Sequence, residues 1–245
     1  MAHNGSCYCT GTIGASLSDD RGANDPRVRV PRALQAQLRA RRAELDSGAA
    51  RVGWKVGLHI AEVEEVMGPE PVFGYLTSAT RLEPGGTFRA RGVRALRAES
   101  EVAVELGRDV WPTEDLESIR GAVVGLAPAL ELVDVDPPVE GFEGVVADNA
   151  YHRAFALGST RTLDPGRRLV STCRVNGEVR ESGTTSEDFA VKLVAIARQL
   201  GTVGEGLRAG DRIITGSLTH VPVRAGDSVE ISIEPLGSLT IQIVD

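Results

Sequence analysis

Apolar positions recur every three to four residues in a few stretches of the chain and every second residue in many more. Leu34, Leu38 and Leu45, with Ala33 and Ala40, share one side of a segment whose other side is rich in arginine. This predicts a helix that opens at Pro31, in its first turn, and ends at Gly48. Phe189, Leu193, Val194, Ile196, Ala197 and Leu200 predict a second long helix, capped from Thr184 to Ser186 and closed by Gly201. Glu187 and Asp188 would lie in its first turn. Shorter helical spacings run from about Ile60 to Met67, before Gly68-Pro69, and through Leu116, Ile119, Val123 and Leu126.

Strands are predicted for Arg51 to Leu58, for several short pieces between Val72 and Leu106, for Arg212 to Ile214 and for Val229 to Ile233. Asn176-Gly177, between Val175 and Val179, is the strongest hairpin signal, because both residues accept the positive φ of a type I′ turn. Further turns fall at Ala209-Gly210-Asp211, Ala225-Gly226-Asp227 and Leu236-Gly237, and Asp134 to Gly144 reads as an acidic, Pro- and Gly-rich loop. Gly201, Gly204 and Gly206 follow a helix, not a strand, and so make a turn and not a phosphate-binding loop. Helices scattered among many short strands indicate an α+β fold and argue against a doubly wound parallel sheet.

At 245 residues the chain has room for one domain with a small appendage. Residues 1–50 read as a flexible leader, without period to about residue 27, plus the N-terminal helix; residues 51–245 form the domain proper. A net charge of −7 without a basic tract makes nucleic acid and an anionic membrane unsuited as partners. No apolar run approaches the roughly 18 residues of a membrane span, and no secretory pattern opens the chain, so a cytoplasmic address is expected. Three cysteines do not make a disulfide framework. His3, Cys7 and Cys9 could grip a soft metal, but no fourth ligand follows at zinc spacing, and they read as incidental to the leader.

The acids change this picture. From Arg97 to Leu106 the chain alternates, with Glu99, Glu101 and Glu105 on one strand face and Val102, Val104 and Leu106 on the other. Glu131 lies inside the apolar run Ala129-Leu130-Glu131-Leu132-Val133, where a carboxylate is costly to bury unless something positive meets it. Three carboxylates that converge need a cation, and hard oxygen ligands suit Mg²⁺, Mn²⁺ or Ca²⁺ over Zn²⁺. A metal-dependent enzyme is therefore expected. Lys55, the single lysine of an apolar strand, is a candidate for moving protons or gripping a substrate carboxylate.

Lys55-Val56-Gly57-Leu58, Phe73-Gly74-Tyr75-Leu76, Ala98-Glu99-Ser100-Glu101, Ala129-Leu130-Glu131-Leu132-Val133-Asp134 and Ala147-Asp148-Asn149-Ala150 follow one another in an order that resembles a known family. Leu157-Gly158, Gly210-Asp211, Thr215-Gly216-Ser217 and Leu236-Gly237 extend the match over roughly residues 33 to 243. The family is that of the 2-hydroxypenta-2,4-dienoate hydratases and 4-oxalocrotonate decarboxylases, within the fumarylacetoacetate hydrolase superfamily. The resemblance implies a rolled β-sandwich with peripheral helices and a homo-oligomer. It also implies Mg²⁺ or Mn²⁺ on Glu99, Glu101 and Glu131, with a 2-oxo acid or its dienol chelated through its carboxylate and C2 oxygen. The reaction implied is hydration or decarboxylation through an enolate that the metal stabilises. Lys55 falls at the site, and Leu76, Asp148 and Ser217 fall on its substrate side, Asp148 bracing a turn.

The chain departs from the family pattern at several points. Val72 stands where the hydratases carry an acid before the aromatic-glycine pair, and Tyr151-His152 replaces the usual serine after the Ala-Asp-Asn-Ala motif. Ser186-Glu187-Asp188-Phe189 replaces a Gly-His-Pro-type segment, and His59 takes the place of a threonine or serine. The chelate is kept while the proton chemistry is altered, which favours decarboxylation or a specialised reaction. His152 is the candidate to supply the missing acid or base, and His220 is a second. Glu105 shares the acidic face without a motif match and is expected to be exposed. Two alternatives stand beside this reading. One is carbon–carbon hydrolysis of an acylpyruvate, with His59 and Glu62 or Glu65 as a water-activating pair; the other is an idle relative that binds a ligand or assists a partner enzyme.

Overall fold

The computed structural model describes residues 24–185 and 188–245. The leader up to residue 23, with His3, Cys7 and Cys9, lies outside the described residues, as do Ser186 and Glu187 at the second long helix. The described chain opens with α1 (Pro26–Asp46), β1 (Arg51–Val56), α2 (Ala61–Met67), β2 (Phe73–Thr77), β3 (Arg81–Leu82), β4 (Thr87–Arg89) and β5 (Leu96–Leu106). There follow α3 (Leu116–Ala122), β6 (Val123–Asp134), α4 (Gly141–Ala147), β7 (His152–Leu157), β8 (Val170–Val175) and β9 (Glu178–Thr184). The order ends with α5 (Phe189–Thr202), β10 (Arg212–Ile214), β11 (Thr219–Pro222), β12 (Ser228–Glu234) and β13 (Gly237–Val244). No described helix is long and apolar enough to cross a membrane.

Four elements differ from the sequence expectation. Helix α1 starts five residues before Pro31, because Asp25 caps it by accepting the Arg27 N–H, and Pro31 is carried inside the helix. Helix α3 ends at Ala122, and Val123 and Leu126 belong to β6. A strand buried on both faces has apolar residues at most positions, so helical spacing arises in it by chance. The acidic loop after Asp134 contains the short helix α4. Helix α5 starts at Phe189 and is capped by Asp188, which accepts the Ala190 N–H, in place of the expected cap at Thr184 to Ser186 with Asp188 in the first turn; Thr184 ends β9. The Asn176-Gly177 hairpin forms as its residues require, with φ of 54° and 83°.

One sheet runs β2-β1-β10-β5-β6-β7-β3, with β11 also pairing to β5. Its two ends, β2 and β3, are joined by only Ser78, Ala79 and Thr80, so the sheet must curl until its ends meet. Alternation then divides each strand between the inside and the outside of the roll. Leu76, Ala103, Ala127, Ala129, Phe155, Leu157 and Ile214, from five strands, fill the inside. Outward, Val102, Val104, Leu106, Leu126, Leu130 and Leu132 join a larger core. The second sheet, β4-β13-β12-β8-β9, closes that core with Val229, Ile231, Ile233, Ile241 and Ile243. Leu193, Ile196 and Leu200 of α5 and Val30 and Leu34 of α1 pack against the same core, so the fold is an α+β rolled sandwich with peripheral helices. The free thiol of Cys173 is buried in it, and burial pushes the thiol up to about 11.

Strand β9 comes so close to the segment before β11 that a Cβ on Gly183 would overlap the Leu218 carbonyl. Gly183→Ala is expected to cost about 1–3 kcal/mol in chemical denaturation, as overpacking does where backbone must yield. A variant as stable as the wild type would show that this approach relaxes freely.

Candidate metal centre

Strands β5 and β6 are antiparallel, and their register sets Glu99 opposite Glu131 and Glu101 opposite Ala129. Glu99 and Glu131 are thus direct cross-strand neighbours, and Glu101 is the diagonal one on the same face. That face is the inside of the roll. One carboxylate oxygen from each residue lies within 4.8 Å of the others, with Glu101 and Glu131 buried and Glu99 half-buried. The three acids therefore meet at one point.

The surroundings of each acid differ. Glu131 Oε1 accepts from Lys55 Nζ at 2.5 Å and faces His152 Nδ1 at 2.7 Å, whereas its Oε2 is buried without a hydrogen-bond partner. Glu101 Oε2 accepts the Gly216 N–H at 2.7 Å, and Glu99 Oε1 lies 2.5 Å from His220 Nδ1. Burial pushes the Glu101 carboxyl well above its ordinary range, and the charges of Glu131 and Glu99 push it further. Burial also raises Glu131, but the Lys55 charge and the His152 hydrogen bond outweigh it and hold this carboxyl below the usual range. His152 is lowered, chiefly by burial, with the Glu131 hydrogen bond opposing. An unpartnered buried oxygen beside a carboxyl strained by like charge is the environment that a hard dication relieves. These residues fit such an ion.

Lys55 lies on β1 directly across from Gly74, where a Cβ would stand 2.6 Å from Lys55 Cγ. Its Nζ also donates to the Ala150 carbonyl at 3.1 Å. Asn149, Ala150 and Tyr151 have φ of 56°, 51° and 68°, three successive non-glycine residues in the left-handed region. Such a turn costs roughly 1–2 kcal/mol per residue and persists only where the surroundings enforce it. Here Asn149 enforces it, since its side chain accepts the Tyr75 N–H at 2.8 Å and donates to the Tyr75 carbonyl at 2.9 Å. The turn ends at β7, where Val133 pairs with His152 but Leu132 pairs with Ala154. The resulting bulge turns the His152 ring inward to Glu131, and Thr80 Oγ1 holds its other nitrogen at 2.9 Å.

A cavity of about 390 Å³ opens onto Glu99 and Glu101, with Lys55, Tyr151, Ser217 and His220 also in its wall; Glu131 is buried outside that wall. Lys55 and Ser217 thus reach the place the sequence suggested, and His220 joins them through Glu99. His152 does not line the cavity; it stands behind Glu131, only 6% exposed. Leu76 departs from expectation, because its inward position on β2 packs it in the roll interior, fully buried and away from the cavity wall. Asp148 accepts from Arg153 at 2.7 Å at the end of α4 and braces that turn. Glu105 is half-buried, paired with Arg212 at 2.9 Å and accepting from Thr160, where exposure was expected. His59 pairs with Glu64 at 2.5 Å and not with Glu62 or Glu65. Sequence reasoning missed the Gly216 N–H, the Ala150 carbonyl and Thr80; the first two are backbone groups, which leave no side-chain pattern.

The fumarylacetoacetate (FAA) hydrolase C-terminal family matches residues 49–244. The chain is 31% identical over 236 residues to a 2-hydroxyhexa-2,4-dienoate hydratase of Comamonas testosteroni, covering 91% of this chain and 89% of that one. It is 31% identical to a 4-oxalocrotonate decarboxylase of a Pseudomonas species, covering 88% of each. Among solved structures, 4-oxalocrotonate decarboxylase from Pseudomonas putida G7 complexed with magnesium and adipate superposes with a TM-score of 0.73 and 28% identity, over 86% of this chain and 85% of that one. The same enzyme complexed with calcium and acetate gives 0.76 over the same shares. The chain belongs to the fumarylacetoacetate hydrolase family. Within it, the protein is an enzyme of the hydratase and decarboxylase type.

Asn149→Ala removes both partners of the Tyr75 backbone and the device that holds the left-handed turn. A loss of about 2–4 kcal/mol is expected in denaturant titration, since buried backbone groups are left unpaired. An unchanged midpoint would show that the turn is held by other contacts.

Proposed function

We propose that the protein is a divalent-metal-dependent lyase that hydrates or decarboxylates a small 2-oxo acid or its dienol, with Glu99, Glu101 and Glu131 holding Mg²⁺ or Mn²⁺. The observation that carries this reading is the meeting of three carboxylate oxygens within 4.8 Å, with Glu99 and Glu101 lining a cavity and Glu131, buried next to them, retaining an unpartnered oxygen. When bound, the dication supplies a Lewis acid to the substrate carboxylate and C2 oxygen.

The chain's own residues do the rest. Lys55 Nζ, fixed by Glu131 and the Ala150 carbonyl, faces the cavity and can give or take a proton along the substrate carbon chain. His152 acts as a positioning residue, because it touches Glu131 and Thr80 and not the cavity. Ser217 at the cavity wall offers a hydroxyl to a substrate oxygen. Val72, the residue before β2, is an apolar side chain fully buried in the core, so the position where the hydratases carry an acid offers no carboxylate to direct a water molecule. That supports decarboxylation or a specialised reaction above simple hydration. A homo-oligomer in the cytoplasm belongs to the same reading, and light scattering of the purified chain checks the assembly.

A second reading, acylpyruvate hydrolysis, has one observation in its favour: His59 lines the same cavity and is paired with Glu64. The His59 side chain is 65% exposed, however, which leaves its position loosely fixed for activating one water. Cleavage of an acylpyruvate lost in His59→Ala would establish it.

Two substitutions separate binding from chemistry. Glu101→Ala is expected to weaken Mn²⁺ binding by about 100-fold or more in calorimetry and to abolish turnover. Full affinity in this variant would overturn the assignment of the site. Lys55→Ala removes a positive neighbour, so Mn²⁺ affinity is expected to hold or rise while turnover falls by about 10²–10⁴. Retained turnover would exclude Lys55 from the proton steps.

A further inference from the structure

The three glutamates are held unequally, and the inequality singles out His220. Glu131 is gripped by Lys55 and His152, both buried, and Glu101 accepts the Gly216 N–H. The Glu99 carboxylate has one hydrogen-bond partner among the described residues, His220 Nδ1 at 2.5 Å. Neither of the other two acids is as open to water as Glu99, whose side chain is 14% exposed. A glutamate at such a rim keeps rotamer freedom that a bound ion would have to remove. His220 removes it beforehand.

The backbone fixes where His220 stands. Strand β11 pairs antiparallel with β5 and sets His220 directly opposite Glu99. The His220 N–H donates to Glu181 Oε2 of β9 at 2.7 Å, which ties this edge to the second sheet. Thr219 and Val221 on either side are buried, while the His220 ring joins Glu99 in the cavity wall. A carboxylate that holds a dication is ionised and can only accept, so the ring donates to it through Nδ1. His220 is not itself among the groups that converge, since the ligand atoms lying within 4.8 Å of one another belong to the three glutamates. We infer that His220 is a positioning residue, which holds Glu99 turned toward Glu101 and Glu131 and so raises metal affinity without touching the metal. It rests on the metal reading above and adds to it the group that preorganises the most exposed ligand.

Calorimetric titration of the full chain with Mn²⁺ tests this in three variants. His220→Ala is expected to weaken binding by about 10–100-fold, the scale of a lost outer-shell partner. His220→Asn places an amide N–H close to where Nδ1 stands and should restore most of the affinity. His220→Phe keeps a ring without that donor and should bind as weakly as His220→Ala. The denaturation midpoint of the metal-free protein should be the same in all of them, because a rim pair adds little to folding. Undiminished affinity in His220→Ala, or rescue by Phe and not by Asn, would overturn the positioning role. So would imidazole nitrogen coupling to Mn²⁺ in spin-echo spectra that disappears in His220→Ala, since His220 would then be a ligand. If the wild type binds no Mn²⁺, the metal reading itself falls and the role of His220 with it.

Discussion

Two glutamates taken out of water inside a rolled sheet, within reach of each other and of a third, impose the condition that the rest of the structure answers. Repulsion among Glu99, Glu101 and Glu131 is largest where water is absent, at Glu101 and Glu131. The fold meets it unevenly. Lys55 and His152 converge on one oxygen of Glu131, a single backbone N–H serves Glu101, and His220 stands by Glu99 at the rim. The compensation is directed at the back of the site, which leaves the front for a cation.

This arrangement explains why so much of the local backbone is unusual. Lys55 needs Gly74 across from it, since its aliphatic stem lies flat over the neighbouring strand. The carbonyl that steadies its ammonium belongs to a left-handed turn that costs free energy and is clamped by Asn149. The bulge that follows turns His152 to the same side as Glu131. Each local irregularity ends on the same carboxylate. Strain of this kind concentrates at sites where geometry must be held against its own preference.

Much of the fold could be read from the chain because its signals were local. The Asn176-Gly177 turn, the alternation through Glu99 and Glu101, and the apolar stripe of α5 each depend on neighbours within a few residues. The acids' meeting was suggested by the apolar setting of Glu131, which made isolation costly. What escaped reading depended on partners distant in sequence. Val123 and Leu126 are strand residues because two layers bury β6 on both faces, and Leu76 is core because of the side of the roll on which it falls. His152 was singled out as an acid or base, and a one-residue bulge, invisible in the pattern, turns it onto Glu131 and not into the cavity wall.

The seam of the roll has a consequence of its own. Ser78 to Thr80 bridge the first and last strands of the sheet, and Thr80 also grips the imidazole behind Glu131. Circumference and the alignment of the Glu131 carboxylate are therefore coupled through three residues. Lengthening that hinge by even one residue would change both together, whereas the segment between β6 and β7 lies outside the strands of the sheet. A longer seam would therefore loosen the imidazole behind Glu131 at the same time as it widened the roll.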